Sequence, residues 1–78
     1  MKVWVALDPG YEDEVILFKE EPVFEEDEKY WYSPTGCEYV MTYTTTLRKI
    51  AHVNMRDTKH AYQIEIPNEW WMKKTKFT

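Results

Sequence analysis

Apolar and β-branched side chains return every second residue along most of this chain, in short runs cut by turns that carry proline or glycine. Two residues is the spacing at which strand side chains come back to the same face, so the pattern directs the chain to pair strands. Lys2 to Leu7 sets Val3, Val5 and Leu7 against Trp4 and Ala6, apolar on both faces, as a central strand requires. Asp8-Pro9-Gly10-Tyr11 then reads as a turn, with proline presetting φ at its second position and glycine open to positive φ at its third. Glu14 to Lys19 is a second β-branched run, so residues 2 to 19 read as a hairpin.

Pro22 has no N–H to give to a ladder and ends or edges that second strand. Val23-Phe24 and Tyr30-Trp31-Tyr32 flank Glu25-Glu26-Asp27-Glu28-Lys29, the pattern of a short hairpin with a charged tip. Ser33-Pro34-Thr35-Gly36 fits a type I turn. Cys37 to Thr46 gives the clearest strand, with Tyr39, Met41 and Tyr43 on one face and Glu38, Val40, Thr42 and Thr44 on the other. Leu47 to Arg56 fits a strand with Leu47, Ala51, Val53 and Met55 on one side, although Lys49 then points inward without explanation. Read as a helix it aligns Leu47, Ile50 and either Ala51 or Asn54, a poorer stripe, and the strand is the expectation. Asp57 to His60 makes a turn, Ala61 to Ile66 another strand, and Pro67 to Lys74 a short helix capped by Asn68. So short a helix needs Trp70 or Trp71 docked on the sheet. The expected fold is therefore mainly β: a single domain over residues 1–78, a curved antiparallel sheet or small barrel of five to seven short strands, with a C-terminal helix.

At 78 residues the chain buries only about 60–65% of the surface it exposes when unfolded. Cys37 is its one cysteine, which excludes an intramolecular disulfide and makes a cytoplasmic location the expectation. No apolar run approaches the roughly 20 residues of a membrane helix, and Met1 to Leu7 is too short for a signal-peptide core. The chain has four Trp, six Tyr and three Phe. That is more than one thin core can hide, so part of this aromatic surface is expected outside, where a partner could use it.

Catalytic and metal patterns are missing. Gly10 and Gly36 are the only glycines, which leaves no phosphate-cradling loop. His52 and His60 stand eight apart with Cys37 far upstream, which matches no zinc spacing. Cys37 with either histidine could be written as nucleophile and base, but a small apolar thiol at a strand start, a polar strand-face residue at His52 and a solvated turn residue at His60 account for these residues as well. The expectation is a non-enzymatic chain without cofactor or metal.

Charge is distributed unevenly. Residues 1–38 hold eleven acids and three bases, net −8, and residues 39–78 three acids and seven bases, net +4. The acids gather in Glu12-Asp13-Glu14, Glu20-Glu21 and Glu25-Glu26-Asp27-Glu28. An extended run sets one carboxylate per about 3.3 Å, close to the roughly 3.4 Å between phosphates along a nucleic-acid strand. Such runs can be solvated loop tips that maintain solubility and block edge pairing. They can equally form a negative surface for a basic partner, which speeds encounter and makes association fall with salt. Tyr11 before Glu12, Phe24 before Glu25 and Tyr30-Trp31-Tyr32 after Lys29 favour the second reading, since aromatic anchors within a charged rim are the composition of an interface.

In its small size, acidity and lack of a catalytic set the chain resembles the general type of phage-encoded inhibitors of host enzymes, anti-CRISPR and anti-restriction proteins among them. The resemblance is one of kind, carried by no motif, and transfers no residue. It implies an acidic protein-interaction module that occupies a basic, nucleic-acid-binding surface of a target protein. Tyr11, Glu12, Asp13, Glu14, Glu25, Glu26, Asp27, Glu28, Tyr30 and Tyr32 are the expected contacts. The alternative is a small β-barrel that binds single-stranded nucleic acid through Arg48, Lys49, Arg56 and Lys59, with Tyr39, Tyr43 or Trp71 as stacking platform.

Overall fold

A computed structural model describes residues 1–11, 13–55 and 59–75. Along the chain it has strands β1 (Lys2–Leu7), β2 (Glu14–Phe18), β3 (Val23–Glu25), β4 (Tyr30–Tyr32) and β5 (Tyr39–Tyr43), helix α1 (Thr44–Ala51), strand β6 (Tyr62–Glu65) and helix α2 (Asn68–Thr75). Four strands form an antiparallel sheet in the order β5-β2-β1-β6, and β3 and β4 form a separate hairpin. β1 and β2 lie side by side as expected, with Trp4 opposite Phe18 and Leu7 opposite Val15. Met1 continues the β1–β6 ladder by one pair, exchanging hydrogen bonds of 2.8 and 2.9 Å with Ile66.

The period of two sorts the central strands between two cores. Val3, Val5 and Leu7 of β1, Val15 and Leu17 of β2 and Val40 of β5 project to one side, where Leu47 of α1, Ile66 and Trp71 of α2 close over them. Ala6 and Phe18 project to the other side and are covered by Trp31 of the hairpin, with half-buried Trp4, Ile16 and Phe24 around them. The molecule is thus three layers: two helices, a twisted sheet and a small hairpin. A strand apolar on both faces is what the middle layer demands, and β1 and β2 supply it.

The mainly β fold with an open antiparallel sheet is as expected; of the two forms that the sequence allowed, it is the sheet and not the barrel, because β5 and β6 are each paired on one side only. One expectation is corrected. Residues 44–51, read as strand from their sequence, are helix α1. As a strand this segment would have buried the Lys49 ammonium, at a cost of several kcal/mol. As a helix it buries Leu47 completely, rests Ile50 and Ala51 on the same core, and leaves Arg48 and Lys49 in solvent near the negative end of the dipole. The helix stops at His52, in the left-handed region at φ 56°, whose N–H donates to the Arg48 carbonyl at 3.0 Å. His52 is therefore a helix terminus and not a strand-face residue, and Cys37 lies ahead of β5 rather than within it. Val53, Asn54 and Met55, also expected as strand, have no regular structure; Arg56, which ends that stretch, and Asp57 and Thr58 of the expected turn at 57–60 fall outside the described residues. Helix α2 is where its sequence placed it, docked by Trp71, while the Asn68 Oδ1 accepts a hydrogen bond from the Met1 ammonium at 2.7 Å.

Candidate interaction surface

The β3–β4 hairpin is aromatic on both faces, and its register decides which rings are seen. Phe24 pairs with Trp31, and this pair turns toward the sheet with ring centroids 5.1 Å apart. Tyr30 and Tyr32, one residue to either side, therefore point outward, 5.8 Å apart, with Val23 exposed on the same face. The tip between the strands is closed by the Lys29 N–H donating to the Glu25 carbonyl at 2.8 Å, with Lys29 in the left-handed region at φ 57°. Glu25 shares the outward face with Val23, Tyr30 and Tyr32 but is half-buried, and its carboxylate accepts the Asp27 N–H at 2.9 Å. Glu26, Asp27 and Glu28 are exposed.

The second acidic group is divided. Tyr11 stands 64% exposed on the β1–β2 turn, which is held by the Gly10 N–H donating to Asp8 Oδ1 at 2.8 Å. Asp13 is exposed, and its carbonyl accepts the Thr44 N–H at 2.8 Å, tying the turn to the start of α1. Glu14 belongs to β2, half-buried and opposite Tyr43, so it lies within the sheet and not at a loop tip. Glu12 is outside the described residues. Among the described residues no ion pair joins Asp13, Glu14 or any of Glu25 to Glu28 to a basic group.

A further surface was not anticipated as a site. The hairpin covers Ala6 and Phe18 but leaves the β5 end of the same sheet face bare, with Tyr39, Met41 and Tyr43 exposed by more than half. Between this row and the hairpin runs a groove of about 430 Å³, walled by Phe18, Trp31, Tyr32 and Cys37. The sequence placed the two tyrosines and Met41 on one face; only the position of the hairpin tells that this face is open there. The thiol of Cys37 lies in the wall, accepting from the Ser33 hydroxyl at 3.2 Å.

The groups invoked for nucleic-acid binding are not gathered. Arg48 and Lys49, with Thr45 and His52, line a hollow of about 470 Å³ on α1, which packs on the sheet face opposite Tyr39 and Tyr43. Trp71 is buried, Lys59 precedes the far edge strand β6, and Arg56 is outside the described residues. The same division separates Cys37 from His52. Among the described residues no three His, Cys, Asp or Glu side chains converge as a metal cluster would. Set against known protein families, curated proteins and solved structures, the chain matches none.

Proposed function

We propose that this chain is a non-enzymatic, acidic protein-interaction module, and that the β3–β4 hairpin is its contact element. Glu26, Asp27 and Glu28 supply the field, and Tyr30 and Tyr32 anchor the contact. The partner is a basic protein surface, of the kind that itself binds nucleic acid, and the module inhibits by occupying it. The observation that carries this reading is the tip itself: three exposed carboxylates with no basic partner among the described residues, beside two outward tyrosine rings already held against each other. Preordering the rings lowers the entropy lost when they are covered, and unpaired carboxylates meet a cationic surface without first breaking internal pairs. Tyr11 and Asp13, exposed on the β1–β2 turn, are further contacts; Glu25 shapes the tip, and Glu14 stays within the sheet.

The test is affinity capture from a cell lysate, with the wild type and an E26K/D27K/E28K variant as parallel baits and salt as eluent. Basic, nucleic-acid-binding proteins are expected on the wild type, released by salt and absent from the variant. Recovery of the same proteins at the same salt on both baits would remove the hairpin from the proposal.

A further inference from the structure

The two open edges of the main sheet differ. β6 carries Gln63 and Glu65 along its four residues, and a charged side chain on an edge strand discourages further pairing. β5 carries no charge, no proline and no bulge, and its register against β2 runs unbroken from Tyr39 opposite Phe18 to Tyr43 opposite Glu14. Hydrogen bonds just beyond each end fix which way its backbone points. The Lys19 N–H donates to the Glu38 carbonyl at 3.1 Å, and the Thr44 N–H to the Asp13 carbonyl at 2.8 Å. These mark 19 with 38 and 13 with 44 as hydrogen-bonded pairs, and in an antiparallel ladder such pairs alternate with non-bonded ones. Val40 and Thr42 therefore bond inward to β2, while the N–H and C=O groups of Tyr39, Met41 and Tyr43 all point to the open edge. The same three residues hold the exposed side chains, 59%, 55% and 53% accessible.

The segment is also a near-palindrome, Tyr39-Val40-Met41-Thr42-Tyr43. A two-fold axis through Met41 sets Tyr39 opposite the second copy's Tyr43 and Met41 opposite its own image. Every outward N–H then meets an outward C=O, because residues 39, 41 and 43 fall on bonded positions in both strands. Aromatic cross-strand pairs are among the favourable ones, and an uncharged strand lets two acidic molecules meet without placing like charges together. An interface built on a two-fold must be self-complementary, which this strand is and β6 is not. We infer that β5 pairs antiparallel with the β5 of a second copy of this chain, joining two four-stranded sheets into one continuous sheet. The contact is made by β5 and not by the hairpin, and the inference is independent of the function proposed above.

Sedimentation equilibrium of the full chain, diluted from about 1 mM, tests this. A concentration-dependent dimer is expected. Met41→Lys sets two ammonium groups across the axis and weakens the dimer about tenfold or more, as does Met41→Glu with carboxylates. An equimolar mixture of the two variants restores association, because only a two-fold at residue 41 sets the new charges opposite each other. A wild type that stays monomeric throughout, a Met41→Lys dimer as tight as wild type, or a mixture no tighter than its components overturns the inference. A second readout needs no variant: with rising concentration, wild-type amide exchange slows at Tyr39, Met41 and Tyr43 and stays constant at Val40 and Thr42. Equal behaviour at all five amides overturns it as well.

Discussion

Lys29 and His52 are the two non-glycine residues with positive φ among those described, and both close an element. For an L-residue this conformation costs roughly 1–2 kcal/mol, which glycine avoids while losing more chain entropy on folding. Lys29→Gly should therefore raise stability by about 0.5–1 kcal/mol, read as a higher urea midpoint with unchanged slope. A midpoint that falls would show that the lysine is not strained there. Nothing in the sequence announced this position, because the tip 26–29 contains neither glycine nor asparagine to mark a left-handed residue; Lys29 was legible only as a charge. The aromatics were legible by number and not by place. All six tyrosines are more than a third exposed, and the buried aromatic positions go to Phe18, Trp31 and Trp71. A phenol hydroxyl keeps its tyrosine at the water boundary, and this distinction between residue types was the available signal.

Element by element, β1, β2 and α2 were readable because their patterns answer to local demands: two apolar faces, a Pro-Gly turn, a docking tryptophan. Helix α1 was not. It has three β-branched threonines in its first turn, no side-chain cap and one fully buried residue, so its periodicity is too short to register. What makes it helical is where β5 delivers the chain, at the rim of a core that Leu47 can fill. Leu47→Ala should then cost about 2–5 kcal/mol, a large part of what so small a domain has. A thermal melt followed by far-ultraviolet circular dichroism checks it; a loss below about 1 kcal/mol would mean that α1 stands without this anchor. The hairpin rests on the sheet through Trp31 and Phe24 in the same way. Trp31→Ala should release β3 and β4 before the central strands, so that their amides exchange first while those of Val3 to Leu7 and Val15 to Leu17 still follow global unfolding. Simultaneous loss of protection throughout would make hairpin and sheet one cooperative unit.

For the molecule as a whole, the layering decides which charges act together. The acidic stretches of the first half look alike in sequence, yet the fold keeps Glu26, Asp27 and Glu28 outside, folds Glu25 back into its own turn and draws Glu14 into the sheet. Local charge density was legible; its direction depended on the strand register, which no single stretch encodes. Field and contact should consequently separate in kinetics. An exposed carboxylate cluster acts at range, over a Debye length of about 10 Å at 0.1 M salt, and so influences encounter more than residence. Tyrosine rings act only once covered. Measured against the basic partner recovered on the wild type, E26K/D27K/E28K should lower the association rate about tenfold or more at low salt. Near 1 M salt, where screening shortens to about 3 Å, the two rates should converge. Tyr30→Ala with Tyr32→Ala should instead speed dissociation by a similar factor and leave the salt slope of association unchanged, because truncating a covered side chain acts mainly on dissociation. If the tyrosine double variant flattens that salt slope, or the charge variant changes only dissociation, the division of roles between the tip and the outer face of the hairpin is wrong.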